Sequence, residues 1–258
     1  MVIETASIEQ IRSHRPADVS VIRVAESPSV VVLDFASLAK QGRTLDRVAA
    51  LIEKGGLPKD RILNPGELER AVKAGGDTDG GFYYGHDYSA ASLRRFFSIA
   101  DRDGVALTPE EVDLRRLLEQ LGWLDPDAVA GLISVPAAGA DVRVTVAARN
   151  GILSHELSHG AYFSDPRHAA YAHEFFLTAL KPSEQAAFRA FLGREGYAVD
   201  DPELVENETQ AYLVFTPDPL FFKPALVKMT PERRTELRLA FQRGMPDGWL
   251  KDMLAGIW

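Results

Sequence analysis

Residues 151–166, "GILSHELSHGAYFSDP", decide how this chain is read. His155 and His159 stand four residues apart, and Glu156 follows the first. Ile152, Leu153, Leu157, Ala161 and Tyr162 make the segment largely apolar, so it reads as a core helix. Residues i and i+4 of a helix share a face, so both imidazoles can turn toward one point. Polar groups on a core helix need partners. A zinc ion is such a partner: two neutral histidines and one carboxylate hold it and leave a position for water. Glu156, beside the first ligand, reaches that water and can take its proton. The alternative is an exposed helix carrying two solvated histidines.

The rest of the sequence narrows the class. The 258 residues suffice for one large domain or two small ones with a real core. Hydrophobic residues make up 46% and charged residues 26%, as in soluble globular proteins. A net charge of −8 argues against nucleic acid or an anionic membrane as the main partner. The absence of cysteine excludes disulfides, thiolate ligands and a cysteine nucleophile. No run is apolar enough to span a bilayer, and the first twenty residues lack the pattern of a signal peptide. An extracytoplasmic site would require a removed leader, so the compartment stays open, as does the oligomeric state.

Along the chain, "SVVVLDF" (29–35) predicts a buried strand, and residues 36–56 a helix ended by Gly55-Gly56. A glycine-rich loop at 75–81 is the candidate boundary between an N-terminal α/β portion, 1–80, and the remainder, 81–258; one continuous domain is the alternative. "SAASLRRFFSIA" and "TPEEVDLRRLLEQLGW" read as helices, the second with a Thr108–Glu111 capping box. "ADRDGVALTPEE" echoes a calcium loop but is one residue short and lacks the glycine, so it reads as a loop into a capped helix. "VRVTVAAR" (142–149) alternates like a half-buried strand that Asn150-Gly151 breaks. Helices are expected at 166–180, 182–194, 202–215 and 231–243.

"HELSH", an alternating strand before it and a helical half after it resemble the zincin metallopeptidases over about residues 140–215. The resemblance implies an α+β, mostly helical fold with a small sheet and an active-site helix. It implies Zn2+ as cofactor, a protein or peptide as substrate, and endopeptidase activity with Glu156 as general base. In one branch of the family the third ligand would fall on Asp165. The glycine that branch needs three residues earlier is Tyr162 here, and Asp165 before Pro166 suits a helix cap. In the gluzincin, thermolysin-like branch the ligand is a glutamate on a later helix. "PELVENETQAYLVF" (202–215) offers Glu203, Glu206 and Glu208. Leu204, Val205, Ala211 and Tyr212 surround Glu208, whereas Glu206 has polar neighbours, so Glu208 is the carboxylate expected to point inward.

Gluzincins of this type have an aspartate where this chain has Tyr212, so Tyr212 is a candidate to orient a ligand or to donate to the oxyanion. His173, expected to face the core, and His86 are further candidates, with a packed core histidine the alternative for His173; the "YYGHDY" cluster of Tyr83, Tyr84, His86 and Tyr88 reads either as a substrate-cleft wall or as a packed turn. The 142–149 strand would then be the edge that pairs with an extended substrate. Competing functions are a zinc hydrolase of non-protein amides and a zincin-like binding domain with little turnover.

Overall fold

The computed structural model describes residues 2–75 and 81–256, so most of the 75–81 loop lies outside the described residues. Short β-branched runs build a five-stranded sheet: β1 (Ile3–Ala6), β2 (Val19–Val24), β3 (Ser27–Phe35), β4 (His86–Ser89) and β5 (Gly131–Pro136), in the order β1-β2-β3-β5-β4. β1–β2 and β3–β5 are parallel, and β2–β3 and β4–β5 antiparallel. β5 is buried along its whole length, which fits its mostly apolar sequence, "GLISVP", broken only by Ser134. The β3–β5 ladder pairs Val30–Phe35 with Gly131–Pro136, so one sheet carries residues from both sides of the 75–81 loop.

The remaining elements are helices: α1 (Ile8–Ser13), α2 (Leu38–Ile52), α3 (Pro65–Gly75), α4 (Ala90–Asp103), α5 (Pro109–Leu121), α6 (Val146–Ser164), α7 (Pro166–Ala179), α8 (Pro182–Arg194), α9 (Pro202–Gln210), α10 (Pro231–Gly244) and α11 (Trp249–Ala255). The architecture is α+β, mostly helical with a small mixed sheet, as expected. The Thr108–Glu111 capping box forms, and Glu111 also pairs with buried Arg47 while Asp101 pairs with Arg115, so the calcium-like loop is spent on structure.

The strand expected at 142–149 is not formed. Residues 141–145 turn, Thr145 caps α6, and Asn150-Gly151 lie inside that helix. The three valines do not share a buried face: Val144 is buried, Val142 is 92% exposed and Val146 is 53% exposed. The strand ahead of the motif is β5, and the sheet edge nearest it is β4, from "YYGHDY".

α6 packs on β3, β4 and β5 and is buried on nearly every side, which makes it the central helix. A Cβ at Gly160 would fall 2.8 Å from Val30 Cγ1, so glycine is what allows this close approach to the sheet. Arg149 in its first turn, fully buried, makes a two-point bond to Asp34 of β3 (2.9 and 2.7 Å) and also donates to Pro136 and Ile11 carbonyls. These bonds satisfy both terminal nitrogens of the guanidinium, leaving only Nε without a partner, and fix the helix against the sheet.

Candidate metal centre and substrate cleft

α6 brings His155 and Glu156 to the floor of a cleft with His159 buried behind them, and α9 brings Glu208 against the two histidines. The Nε2 atoms of His155 and His159 are 3.0 Å apart. Glu208 Oε2 lies 3.7 Å from the first and Oε1 3.8 Å from the second. All three residues are buried.

Hydrogen bonds behind the imidazoles set their tautomers. The Thr216 hydroxyl donates to the Ala211 carbonyl (2.9 Å), so its oxygen accepts from His155 Nδ1–H (2.8 Å). Asn207 Oδ1 accepts from the Gln210 amide (3.3 Å) and from His159 Nδ1–H (2.9 Å). Both Nε2 atoms therefore present lone pairs to the same point. Burial, and then His159, hold the His155 imidazolium well below its ordinary range, which keeps that ring neutral.

Thr216 owes its position to the π-helical segment Ala211–Phe215, which widens the turn after α9; its hydroxyl bonds the carbonyl five residues back. Two lone pairs facing each other beside a buried carboxylate repel unless a cation sits between them. Glu208 Oε2 is buried without a hydrogen-bond partner, so it is available to a cation. Zinc bonds of about 2.0–2.2 Å at tetrahedral angles separate ligand atoms by about 3.3–3.6 Å, close to the 3.0–3.8 Å found here. The donor set fits a zinc ion.

Glu156 lines the cleft with its carboxylate against the Gly85 backbone, where a Cβ would fall 2.1 Å from Oε1. Burial, followed by Asp87, Glu208 and Glu53, raises its pKa well above the carboxylate range. Glu208 is raised likewise by burial and Asp87, against a hydrogen bond from Tyr197. Asp87 of β4 lies 3.6 Å from His159 Nδ1.

The Tyr212 ring meets His155 edge-on at 4.7 Å, and its hydroxyl bonds Tyr197. Thus Thr216 and Asn207, rather than Tyr212, orient the ligand histidines. Tyr83, Tyr84, Tyr197, Tyr212 and Phe221 give the ≈200 Å³ cleft aromatic walls, with Arg143 and Glu195 as further charges.

Three expectations are corrected, and an alternative left open at His86 is decided. His173 does not face the core: its side chain is 54% exposed and pairs with Glu206 at 2.8 Å. The buried stripe of α7 is instead His168, Ala172, Phe175 and Phe176. Glu206, expected in solvent, is buried by that contact, since α9 is enclosed from Val205 to Gln210. His86 is buried between Tyr83 and Tyr88 and does not line the cleft. With no strand at 142–149, that segment cannot be the substrate-pairing edge. Asp165 caps α7 and pairs with Arg167, as its place before Pro166 suggested.

Sequence reasoning missed Asp87, Asn207, Thr216, Tyr197 and Gly85. A charged residue between His86 and Tyr88 in a short strand was a usable sign for Asp87; Asn207 and Thr216 carried none beyond closeness to Glu208. Among the described residues no helix is long and apolar enough to cross a membrane. The chain matches no family model, no curated protein and no solved structure.

Proposed function

We propose that the protein is a zinc-dependent hydrolase of peptide bonds with a zincin-like fold, using His155, His159 and Glu208 as ligands. The observation that carries this reading is the convergence of two lone-pair nitrogens and an unpartnered carboxylate oxygen beside Glu156, with His155 and Glu156 lining an open cleft. A zinc ion held there would polarise a substrate carbonyl and lower the pKa of water.

Glu156 is the base. It faces the cleft, and its other neighbours are carboxylates, so it gains from accepting a proton. A carboxyl whose pKa is raised retains that proton long enough to pass it to the leaving amine. Tyr212 and Tyr197 also line the cleft. Burial first, then nearby Glu208, raises both phenol pKa values, so the hydroxyls stay protonated and able to donate to an oxyanion. The aromatic walls suit the side chains and planar amides of a peptide.

The test is cleavage of a fluorogenic peptide library by the zinc-loaded protein and by Glu156→Gln. The reading expects Glu156→Gln to keep its zinc and to lose about 10²–10⁴-fold in kcat/KM. Full activity in the variant would remove Glu156 as base. Zinc without cleavage of any peptide would point to a different amide.

A further inference from the structure

The aromatic cleft is one of two cavities that reach the metal centre. The second, of ≈460 Å³, shares none of the cleft's lining residues and meets the centre at Glu208 and Asp87. Its charged lining is wholly acidic: Glu53, Asp87, Asp201, Glu203 and Glu208, with no lysine, arginine or histidine. Ile52, Val129, Phe163 and Leu204 add apolar surface to the same lining.

Two of the five have evident structural work. Glu208 is a ligand in the reading above, and Asp201 caps α9. Glu53 does not. It is only 5% exposed, lines the cavity, and makes no side-chain hydrogen bond or ion pair among the described residues. The nearby ammonium groups point elsewhere: Lys59 donates to the Ala50 and Lys54 carbonyls, and Lys54 to that of Glu195. Such a carboxylate, lining a cavity without a hydrogen-bond partner, is available to a cation brought in from solution.

We propose that this cavity is a substrate subsite for a cationic nitrogen group, an ammonium or guanidinium, carried by the peptide; this rests on the peptidase reading. A second metal ion fits less well. Glu53 belongs to neither of the buried sets, His155–His159–Glu208 and Asp87–Glu156–His159, whose donor atoms approach closely enough to share an ion. Carboxylates and apolar surface in one cavity match a group with several N–H donors on an aliphatic stem. The cation can be a lysine or arginine side chain, or the free amino terminus.

Equilibrium binding to the zinc-loaded full chain tests this without requiring turnover, so it stands even if no peptide is cleaved. The probes are N-acetyl-arginine amide, with only a side-chain cation; norleucine amide, with only an α-amine; and N-acetyl-norleucine amide, with neither. At least one cationic probe is expected to bind tenfold or more tightly than the neutral one, and the probe that does so identifies the source. In Glu53→Gln, with its zinc content unchanged, that preference should vanish; simple chelation of zinc by the α-amine would survive the substitution. Should Glu53→Gln fail to fold, exposed Glu203→Gln decides instead, with a severalfold loss of preference expected. Equal binding of all three probes, or a preference that persists in the folded variants, overturns the proposal.

Discussion

His155 Nε2 and His159 Nε2 face each other at 3.0 Å, and each ring donates its Nδ1 proton away from the other, to Thr216 and to Asn207. The tautomers that a cation requires are thus fixed before any cation arrives, by residues 61 and 48 positions away in sequence.

That arrangement predicts the effect of loosening it. Thr216→Val and Asn207→Leu remove the acceptors while keeping the ligands. Each should weaken zinc affinity by about 10–100-fold, read by competition with a chromogenic chelator. Unchanged affinity in both would mean that the histidines orient without them.

Gly85→Ala should act on the base rather than on the metal. The new methyl would stand 2.1 Å from Glu156 Oε1, so the carboxylate or the β4 approach must shift. Zinc content should stay near wild type while kcat/KM falls by about 10²-fold, the scale expected for a misplaced catalytic group. Comparable losses of zinc and activity would show instead that the whole centre is deformed.

A pH effect follows from His168, buried at the α7 surface beside Phe241. Burial, opposed by a hydrogen bond with Gln210, lowers its pKa to about 4. A histidine held neutral when folded adds stability above its unfolded pKa of about 6.5. That contribution is lost as pH falls from about 6.5 toward 4, because the unfolded chain takes up the proton first. Urea midpoints at pH 7 and pH 4.5 should therefore differ less in His168→Gln than in wild type. An equal or larger difference in the variant contradicts this assignment.

The sequence shows much of the proposed ligand set because one helix carries most of it. HExxH spacing places His155, Glu156 and His159 on α6 by helical geometry alone, and the apolar neighbours of Glu208 indicated an inward carboxylate. The contrast between Glu208 and Glu206 holds only in part, since α9 is buried on both faces and His173 crosses over to satisfy Glu206.

Period-two valines misled at 142–149 because three alternating residues cannot outweigh Thr145 as an N-cap and the helix-forming run after it. β5 and β2 were missed although both are apolar runs; a short buried strand and a buried helical turn look alike by composition. Asp87, Thr216 and Tyr197 reach the site through tertiary packing of loops and edges, which local periodicity does not encode.

Zinc stoichiometry tests the central claim most directly. Wild type, Glu208→Ala and Asp165→Ala, each equilibrated with zinc at neutral pH and freed of excess, are compared by elemental analysis. One zinc per chain in wild type and in Asp165→Ala, with loss in Glu208→Ala, is the predicted result. Zinc-free wild type, or full zinc in Glu208→Ala with loss in Asp165→Ala, would contradict it.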